Sequence, residues 1–557
     1  MAVTLTINGQ SIQAIEGLSL FEHAERLGVD VPTSCLKQGK CKECMVEVVE
    51  GMDALSAPAG AESHLQGKFR LSCQARVTAA AGQVRCHTMR RGQMRIEQHG
   101  LRLPGARRAW EIDPAVTRDG DRILIDGEEV ERSTGPIHGI AMDLGTTTVV
   151  LRLLDLETGE LVADTSFENP QRFGGSEVMS RIAYDTSHPG RLLMRTLAGY
   201  LAHAIQKFPV DPNTIYEMVV VGNSTMRDLF FRQNVYSIGQ TPYRSITELE
   251  MAEGRRSTTS LVQSGRQSLL PIHPRARVYG APIVSGHVGA DAAACMLAVD
   301  LAHEERLLAI MDIGTNTELI VGNRHRILAA SCPAGPAFEG GAIACGMPAL
   351  EGAIEGVAMD DDGSFRLRVI GDAAPAGICG SGLVDLLSEL LRTGRMNQMG
   401  RFQDDLPRVT LHRGADGDRH GRETSEEIFL LESDVNELAQ AKGANVAGLH
   451  VVFSSFGIEF NDLDVFYLAG GFGRHLDVEA SKRIGLAPNL DAAKMVRAGN
   501  IAIEGATIAL LSRGKRQELE ELVKRVEHCR LETHPDFFDF FVEGCQFKPL
   551  EPAPCAK

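Results

Sequence analysis

The sequence predicts an α/β multidomain chain: a small β-rich module over residues 1–84, a connecting stretch over 85–137, and a larger domain over 138–557 built from two copies of one α/β unit. Three observations predict it. Three cysteines fall within residues 33–48 (TSCLKQGKCKECMVEV), and a fourth follows at 73. The stretch MDLGTTT at 142–148 returns as MDIGTNT at 311–317. From residue 138 apolar runs alternate with helical patterns across glycine-rich turns, as in α/β domains.

The bulk numbers narrow the function classes. A chain of 557 residues has room for three or four domains, and 43% hydrophobic residues supply their cores. A net charge of −16, a single tryptophan and 5% aromatic residues argue against a nucleic-acid binder. No run of 18 apolar residues marks a membrane span, and MAVTLTINGQ lacks the pattern of a secretory signal. The expected location is cytoplasmic, with the 12 cysteines mostly reduced, so a tight cysteine cluster reads as a metal or redox site.

The first module opens with VTLTINGQSIQAI, whose alternating polarity around Asn8-Gly9 predicts a β-hairpin. In GLSLFEHAERLG, Ser19 and Glu22 form a capping box, Gly28 provides the stop, and Leu20, Phe21, Ala24 and Leu27 give one apolar face. The cysteine loop follows, then a strand (CMVEVVEG), then Cys73 in FRLSCQARV. The spacing is Cys35-x5-Cys41-x2-Cys44-x28-Cys73. This order resembles a β-grasp [2Fe–2S] ferredoxin; the five-residue first gap departs from the plant spacing and is similar to the adrenodoxin-like variant. Four thiolates would hold two irons, and a small neighbour such as Gly39 lets backbone N–H groups approach the sulfides. The alternative is a structural four-cysteine zinc site, although only Cys41 and Cys44 have zinc-knuckle spacing.

Residues 85–110 are rich in arginine without clean periodicity and read as a linker, with Cys86 alone in it. Residues 111–137 read as a short, partly extended segment too small for a domain.

In the large domain Asp143 and Asp312 lie 169 residues apart, each at the end of an apolar strand that runs into Asp-x-Gly-Thr-x-Thr and a second apolar strand. This duplication predicts lobes at 138–305 and 306–557 with a cleft between them. Gly145 and Gly314 let the backbone approach an anion, while Thr146, Thr147, Thr315 and Asn316 supply hydroxyl, amide and N–H donors. Asp143 and Asp312 are placed to hold Mg²⁺ or its water. The run DVFYLAGGFGRHLD carries Gly470, Gly471 and Gly473 at a strand-to-helix turn that admits a flat ring. Together these elements resemble the ASKHA superfamily of actin, sugar kinases and Hsp70, which implies ATP held by the paired loops with its adenosine at the glycine turn. By the same resemblance VVVGNSTM (219–226) and AGICGSGLVDLL (376–387), with Gly380 and Ser381, sit at connecting helices and hinges. Asp291, in GHVGADAAA, either assists the metal or caps a helix.

A ferredoxin ahead of an ASKHA ATPase, together with GPAFEGGAIACGM and GICGSGLVDLL, resembles a reductive activator of corrinoid enzymes (RACE protein). The resemblance covers 1–95 and 138–545. It implies an enzyme that returns a corrinoid from Co(II) to Co(I) with an electron from the iron–sulfur centre, using ATP for the uphill step. It also implies a corrinoid carrier as partner, an upstream electron donor, and a dimer as the common assembly of such duplicated ATPases. The short join implies that the middle domain of some relatives is reduced or missing. No base-off corrinoid motif D-x-H-x-x-G occurs, since Asp418-x-His420 has Glu423 in the glycine position, so the cobalt belongs to another protein. The loop SCPAGPAFEGGA (331–342) faces nucleotide or partner, or is a packing turn.

Three rivals stay open. An activator of the 2-hydroxyacyl-CoA dehydratase type would place a [4Fe–4S] cluster on cysteines within the ATPase fold, with Cys332, Cys345 and Cys379 as candidates. A small-molecule kinase with a redox sensor would need an acceptor-side base that the sequence does not single out. An Hsp70-like chaperone would need a substrate domain. The aromatic tail HPDFFDFF is expected to dock on the core, and Cys529, Cys545 and Cys555 lack cluster spacing.

Overall fold

The computed structural model describes residues 3–79, 81–89, 111–403, 406–413, 427–471 and 475–550. They fall into two compact units: one runs to Ala281 and adds Leu510–Arg513, and the other runs from Pro282 to Ala509 and resumes at Gly514.

The first unit begins with the predicted hairpin, β1 (Val3–Ile7) and β2 (Gln10–Gln13), turning on Asn8 and Gly9 with φ of 50° and 84°. Both angles lie in the left-handed region that a two-residue hairpin turn of this type requires. Helix α1 (Leu20–Leu27) starts at the capping box of Ser19 and Glu22 and ends on Gly28 in the left-handed conformation. Three more strands, β3 (Met45–Glu50), β4 (Phe69–Leu71) and β5 (Gly82–Thr88), complete a sheet with the order β2-β1-β5-β3-β4 among the described residues. β5 corrects the expected boundary. It pairs parallel to β1 and antiparallel to β3, so the module continues past residue 84. Cys86 is accordingly a core residue, its thiol pushed up to about 12 by burial. Residues 90–110 of the expected linker lie outside the described residues.

The segment after residue 111 is a β-meander of β6 (Val116–Asp119), β7 (Arg122–Ile125) and β8 (Glu128–Arg132). Asp126 and Gly127, with φ of 49° and 86°, make its second turn.

The rest of the first unit is the first α/β copy. β9 (His138–Leu144), β10 (Thr148–Asp155) and β11 (Leu161–Glu168) form an antiparallel run, and β12 (Ile215–Gly222) returns parallel to β9. With β13 (Leu261–Ser264) and β14 (Arg277–Gly280) the order is β11-β10-β9-β12-β14-β13. Helix α2 (Leu192–Gln206) covers the sheet with Leu193, Leu197 and Leu201, in one core with Leu144 and Val149.

The second unit repeats the pattern. β15 (Leu308–Ile313), β16 (Thr317–Gly322) and β17 (Ile327–Cys332) are antiparallel. Two short strands, β18 (Ala353–Met359) and β19 (Phe365–Val369), form a hairpin beside β20 (Gly377–Ile378), and β21 (Arg408–His412) pairs with β22 (Ile428–Leu431). β23 (Val465–Ala469) then returns parallel to β15, and with β24 (Met495–Gly499) and β25 (Val526–His528) the order is β24-β23-β15-β16-β17-β25. Both copies thus share three antiparallel strands and a parallel return beside the first, as the duplicated motif predicts. Helix α3 (Ala290–Ala298), which carries Asp291, clusters with the second unit, earlier than the expected division at 305.

Two further helices line the β18–β19 hairpin, α4 (Gly380–Arg392) and α6 (Val478–Ile484), and the long α5 (Glu432–Phe456) runs through the core. The aromatic tail docks as expected: Phe537 and Phe540 of α7 (Phe537–Gly544) pack against the core of the second unit, while Phe538 is exposed. The dock has a polar pin. Lys442 of α5 is fully buried and donates to the carbonyls of Gly544 and, at 2.8 Å, Gln546. These are carbonyls at and just beyond the C-terminal end of α7, which have no intrahelical partner. Burial pushes the Lys442 amine down to about 7.

Lys442→Met keeps the aliphatic stem and removes the buried donor from the Gly544 carbonyl, leaving Gln546 only the Lys548 N–H at 3.1 Å. The expected outcome is a loss of about 3 kcal/mol in a denaturant titration and protease cleavage near residue 545.

Candidate functional site

The four cysteines of the first module come together. Three lie on the loop between α1 and β3, and Cys73 arrives just after β4. Cys44 and Cys73 are buried with their sulfurs 3.3 Å apart, and Cys35 and Cys41 are half-buried. Two thiolates on one tetrahedral metal with bonds of ~2.3 Å lie about 3.8 Å apart, so this pair is nearly in ligand position. The loop is wound through the left-handed region at Leu36, Lys37, Gly39 and Lys42, with φ between 52° and 69°. Three of these are not glycine and carry backbone strain. The winding turns successive N–H groups inward. Burial opposes ionisation of Cys35, but N–H groups of Cys41, Lys40 and Gln38 outweigh it and hold the thiol at about 7. The Cys44 thiol hydrogen bond holds Cys73 at about 6, and Gln74 Nε2 adds a donor at 3.3 Å. Amides aimed at sulfur are what an electron-rich thiolate cluster needs. A side chain on Gly39 would lie 3.1–3.2 Å from Ala61 and Gln74, so the loop closes tightly there.

In the first copy the loop after β9 is closed by Gly145 N–H donating to the Thr148 carbonyl at 3.0 Å. Thr146 is buried and its hydroxyl takes a hydrogen bond from Asn223 Nδ2 at 2.8 Å. Asn169 donates from Nδ2 to the Gly145 carbonyl at 2.8 Å and from its N–H to the Thr147 carbonyl at 2.7 Å. Asp143, one residue before the end of β9, is half-buried. Asn169 and Asn223 were not singled out from sequence, although Asn223 sits in the quoted run VVVGNSTM.

In the second copy Gly314 N–H donates to the Asn316 carbonyl at 3.2 Å. Thr315 is buried; its hydroxyl donates to Glu339 Oε2, and its carbonyl accepts Gly335 N–H at 2.9 Å. The loop 331–342 therefore leans on this turn. Asp312, on β15, stands opposite Glu318, on β16. Glu318 is raised well above the carboxylate range, first by burial and then by the charges of Asp291 and Asp312. A buried carboxyl beside two further carboxylates is a setting that a divalent cation would relieve. Asp291, whose Oδ1 accepts the Ala292 N–H at 2.8 Å at the start of α3, and Asp312 both act on a third carboxylate that sequence reasoning missed, Glu318. Its signal was a carboxylate in an apolar strand directly after the motif.

Gly470 and Gly471 follow β23, and Gly470, at φ 107°, lies against the end of β15. Gly473 lies outside the described residues, as do Asp418, His420 and Cys555. Gly380 opens α4, while Ser381 is buried and donates its hydroxyl to the Glu355 carbonyl at 2.8 Å. Beyond it, a polar cavity of about 440 Å³ is lined by Val357, Arg366, Arg368, Asp385, Asp477 and Arg483 among others. Asp385 accepts Val357 N–H at 3.3 Å, and burial raises its carboxyl to about 6.

Two alternative metal readings fare worse. Cys332 and Cys379 are core thiols raised by burial, each enclosed in the packing of the second unit. The donor atoms of Asp300, His303 and Glu518 do converge, but Lys515 Nζ is 3.4 Å from Asp300 and 2.9 Å from Glu518 and supplies the positive charge itself. No helix among the described residues is long and apolar enough to cross a membrane.

Comparison with known proteins gives matches along most of the chain. A family model described as the C-terminal domain of RACo, the ASKHA domain, matches residues 306–555. One described as the RACo middle region matches 138–304, and one described as a 2Fe–2S iron–sulfur cluster binding domain matches 4–78. The middle region is thus present as the first α/β copy, against the expectation that it is reduced or missing. The corrinoid activation enzyme RamQ of Eubacterium limosum is 32% identical over 453 residues, 78% of this chain and 74% of that protein. A reductase of the Co(II) methylated amine-specific corrinoid protein from Methanosarcina barkeri is 26% identical over 432 residues, 73% of this chain and 76% of that protein. A solved structure titled as a reductive activator for corrinoid, iron–sulfur protein shares the fold with a TM-score of 0.72, at 24% identity and 98% coverage of both chains.

Cys44→Ala or Cys73→Ala should bring the bound iron and the visible cluster absorption to background. Cys86→Ala, Cys332→Ala and Cys379→Ala should leave both at the wild-type level, as read by iron and sulfide analysis.

Proposed function

This chain belongs to the RACo family of corrinoid activators, and from that premise we propose that it reduces the cobalt of a corrinoid protein from Co(II) to Co(I) with the help of ATP. The observation that carries the reading is the presence, in one chain, of a four-thiol loop with converging amides and of two copies of an Asp–Gly–Thr hairpin. When bound, a [2Fe–2S] cluster supplies single electrons at about −400 mV. Cys35, Cys41, Cys44 and Cys73 hold it, and the amides of residues 38–41 balance its charge.

Cobalt(II) with its lower ligand in place is harder to reduce than that, so the balance must be shifted. A nucleotide can shift it only by favouring one state of the partner over another. In this reading Gly145, Thr146 and Thr147 of the first copy, and Gly314, Thr315 and Asn316 of the second, bind ATP phosphates through N–H and hydroxyl groups. Asp143, Asp312 and Asp291, with Glu318, hold Mg²⁺ and its waters. The glycine turn at 470–471 receives the adenosine, and the cavity beside α4 and α6 takes its polar edge, with the Asp385 carboxylate accepting a hydroxyl or amino hydrogen. The corrinoid comes from a separate protein, and the electron comes from an upstream donor.

The deciding experiment mixes the reduced protein with candidate Co(II) carriers, with and without ATP, and follows the Co(I) absorption band. Co(I) should form with ATP and fall to background without it; ATP-independent formation, or none with any carrier, overturns the reading. Asp312→Asn should slow ATP hydrolysis by about a hundredfold in a phosphate-release assay. Asp385 holds its proton below about 6. Nucleotide affinity should therefore weaken by about tenfold as pH falls through that value, and calorimetry of Asp385→Asn should show the step abolished.

A further inference from the structure

Glu43 stands between Cys41 and Cys44, in the stretch where a carboxylate is expected to face water. It is instead 6% exposed, and the surface that buries it belongs to α2 of the first α/β copy. Its Oε1 accepts Ser34 Oγ–H at 2.6 Å, its Oε2 pairs with His203 Nε2 at 3.3 Å, and its main-chain carbonyl accepts the Tyr200 hydroxyl at 2.9 Å. Gly199 completes the seat: a Cβ there would lie 2.7 Å from Glu43 Cγ and 2.8 Å from Oε1. Glycine inside a helix is less favourable than alanine, and this contact accounts for its presence. Gly199 and His203 are one helical turn apart and Tyr200 is adjacent, so one face of α2 engages a single residue of the cluster loop.

Other contacts tie the same surfaces. Tyr184 donates its hydroxyl to the His64 carbonyl at 2.8 Å, and Lys207 pairs with Asp30. The stripe of α2 next to that face, Leu193, Leu197 and Leu201 with Tyr200 itself, lies in one core with Leu144 and Val149, which flank the Asp143 loop.

We propose that Glu43 is a positioning residue that fastens the cluster loop to α2, so that the nucleotide-binding lobe sets the loop's amide geometry and through it the reduction potential of the cluster. The proposal rests on the [2Fe–2S] reading of the quartet and on no particular corrinoid client. The physical link is short. Hydrogen bonds to sulfur and solvent access tune such potentials, and Glu43 is covalently next to Cys44 and two residues from Cys41.

The test uses the full-length protein with its cluster, without ATP or corrinoid. Dye-mediated redox titration and EPR of the reduced form are recorded for Gly199→Ala, Glu43→Ala, Glu43→Gln and the double Gly199→Ala/Glu43→Ala variant. Gly199→Ala changes no charge and no ligand, yet pushes Glu43 from its seat. It should shift the one-electron equilibrium at least about threefold, about 28 mV at 59 mV per decade, and alter the g-anisotropy. That shift should vanish when Glu43 is already alanine. Glu43→Gln, similar in shape and able to bond Ser34 and His203, should stay closer to wild type than Glu43→Ala. Loss of the cluster from Gly199→Ala also supports the fastening, because alanine is the better helix former and no thiol is touched. A wild-type potential and spectrum in Gly199→Ala, or an undiminished shift in the double variant, overturns the proposal alone. A wild-type chain without a [2Fe–2S] signal overturns the cofactor reading and this proposal with it.

Discussion

In each α/β copy a glycine at the end of the parallel return strand presses on the carbonyl of the residue that follows the motif aspartate. A Cβ on Gly222 would lie 2.4 Å from the Leu144 carbonyl oxygen, and one on Gly470 would lie 2.1 Å from that of Ile313. Both glycines sit in the positive-φ region, at 149° and 107°. A side chain at either site would push the return strand off the first strand, and the loops that carry Asp143 and Asp312 would lose their backing. The geometry of each hairpin depends on this backbone-to-backbone approach more than on any single side chain. It also identifies VVVGN and YLAGG as equivalent pieces of the duplication.

Much of this was legible beforehand, where the signal is local. The Asn8-Gly9 turn and the Ser19–Glu22 box are settled within a few residues, and the structure keeps both. The repeat was readable because both copies kept aspartate, glycine and threonine at one spacing. β5 was hidden because its partners, β1 and β3, are distant in sequence and arginines follow it. Its alternating burial at Val84, Cys86 and Thr88 was present as a period of two, too short to stand out beside a charged run. Glu318, Glu339 and Asn169 were missed for a related reason. Each matters through a neighbour brought near by sheet register or by a returning loop, and a carboxylate or amide taken alone has no pattern.

The first module is joined to the lobe that follows it by more than chain connectivity. Met45 and Met89 belong to the hydrophobic core of the first α/β copy, and Arg172 reaches Glu47 at 3.8 Å. The strand after the cysteine loop therefore serves two cores, with Val46 and Val48 on the module's own side. Such sharing restricts the freedom that a tethered carrier domain would otherwise have.

The asymmetry of the four-thiol loop has a chemical consequence. Cys44 and Cys73 are sealed by protein, whereas Cys35 reaches solvent and sits at about 7. Oxidation follows thiolate character and access together. Before iron arrives, peroxide would strike Cys35 first and leave the inner pair for later. The backbone winding that readies Cys35 to bind iron thus also makes it the point of the loop most open to oxidant.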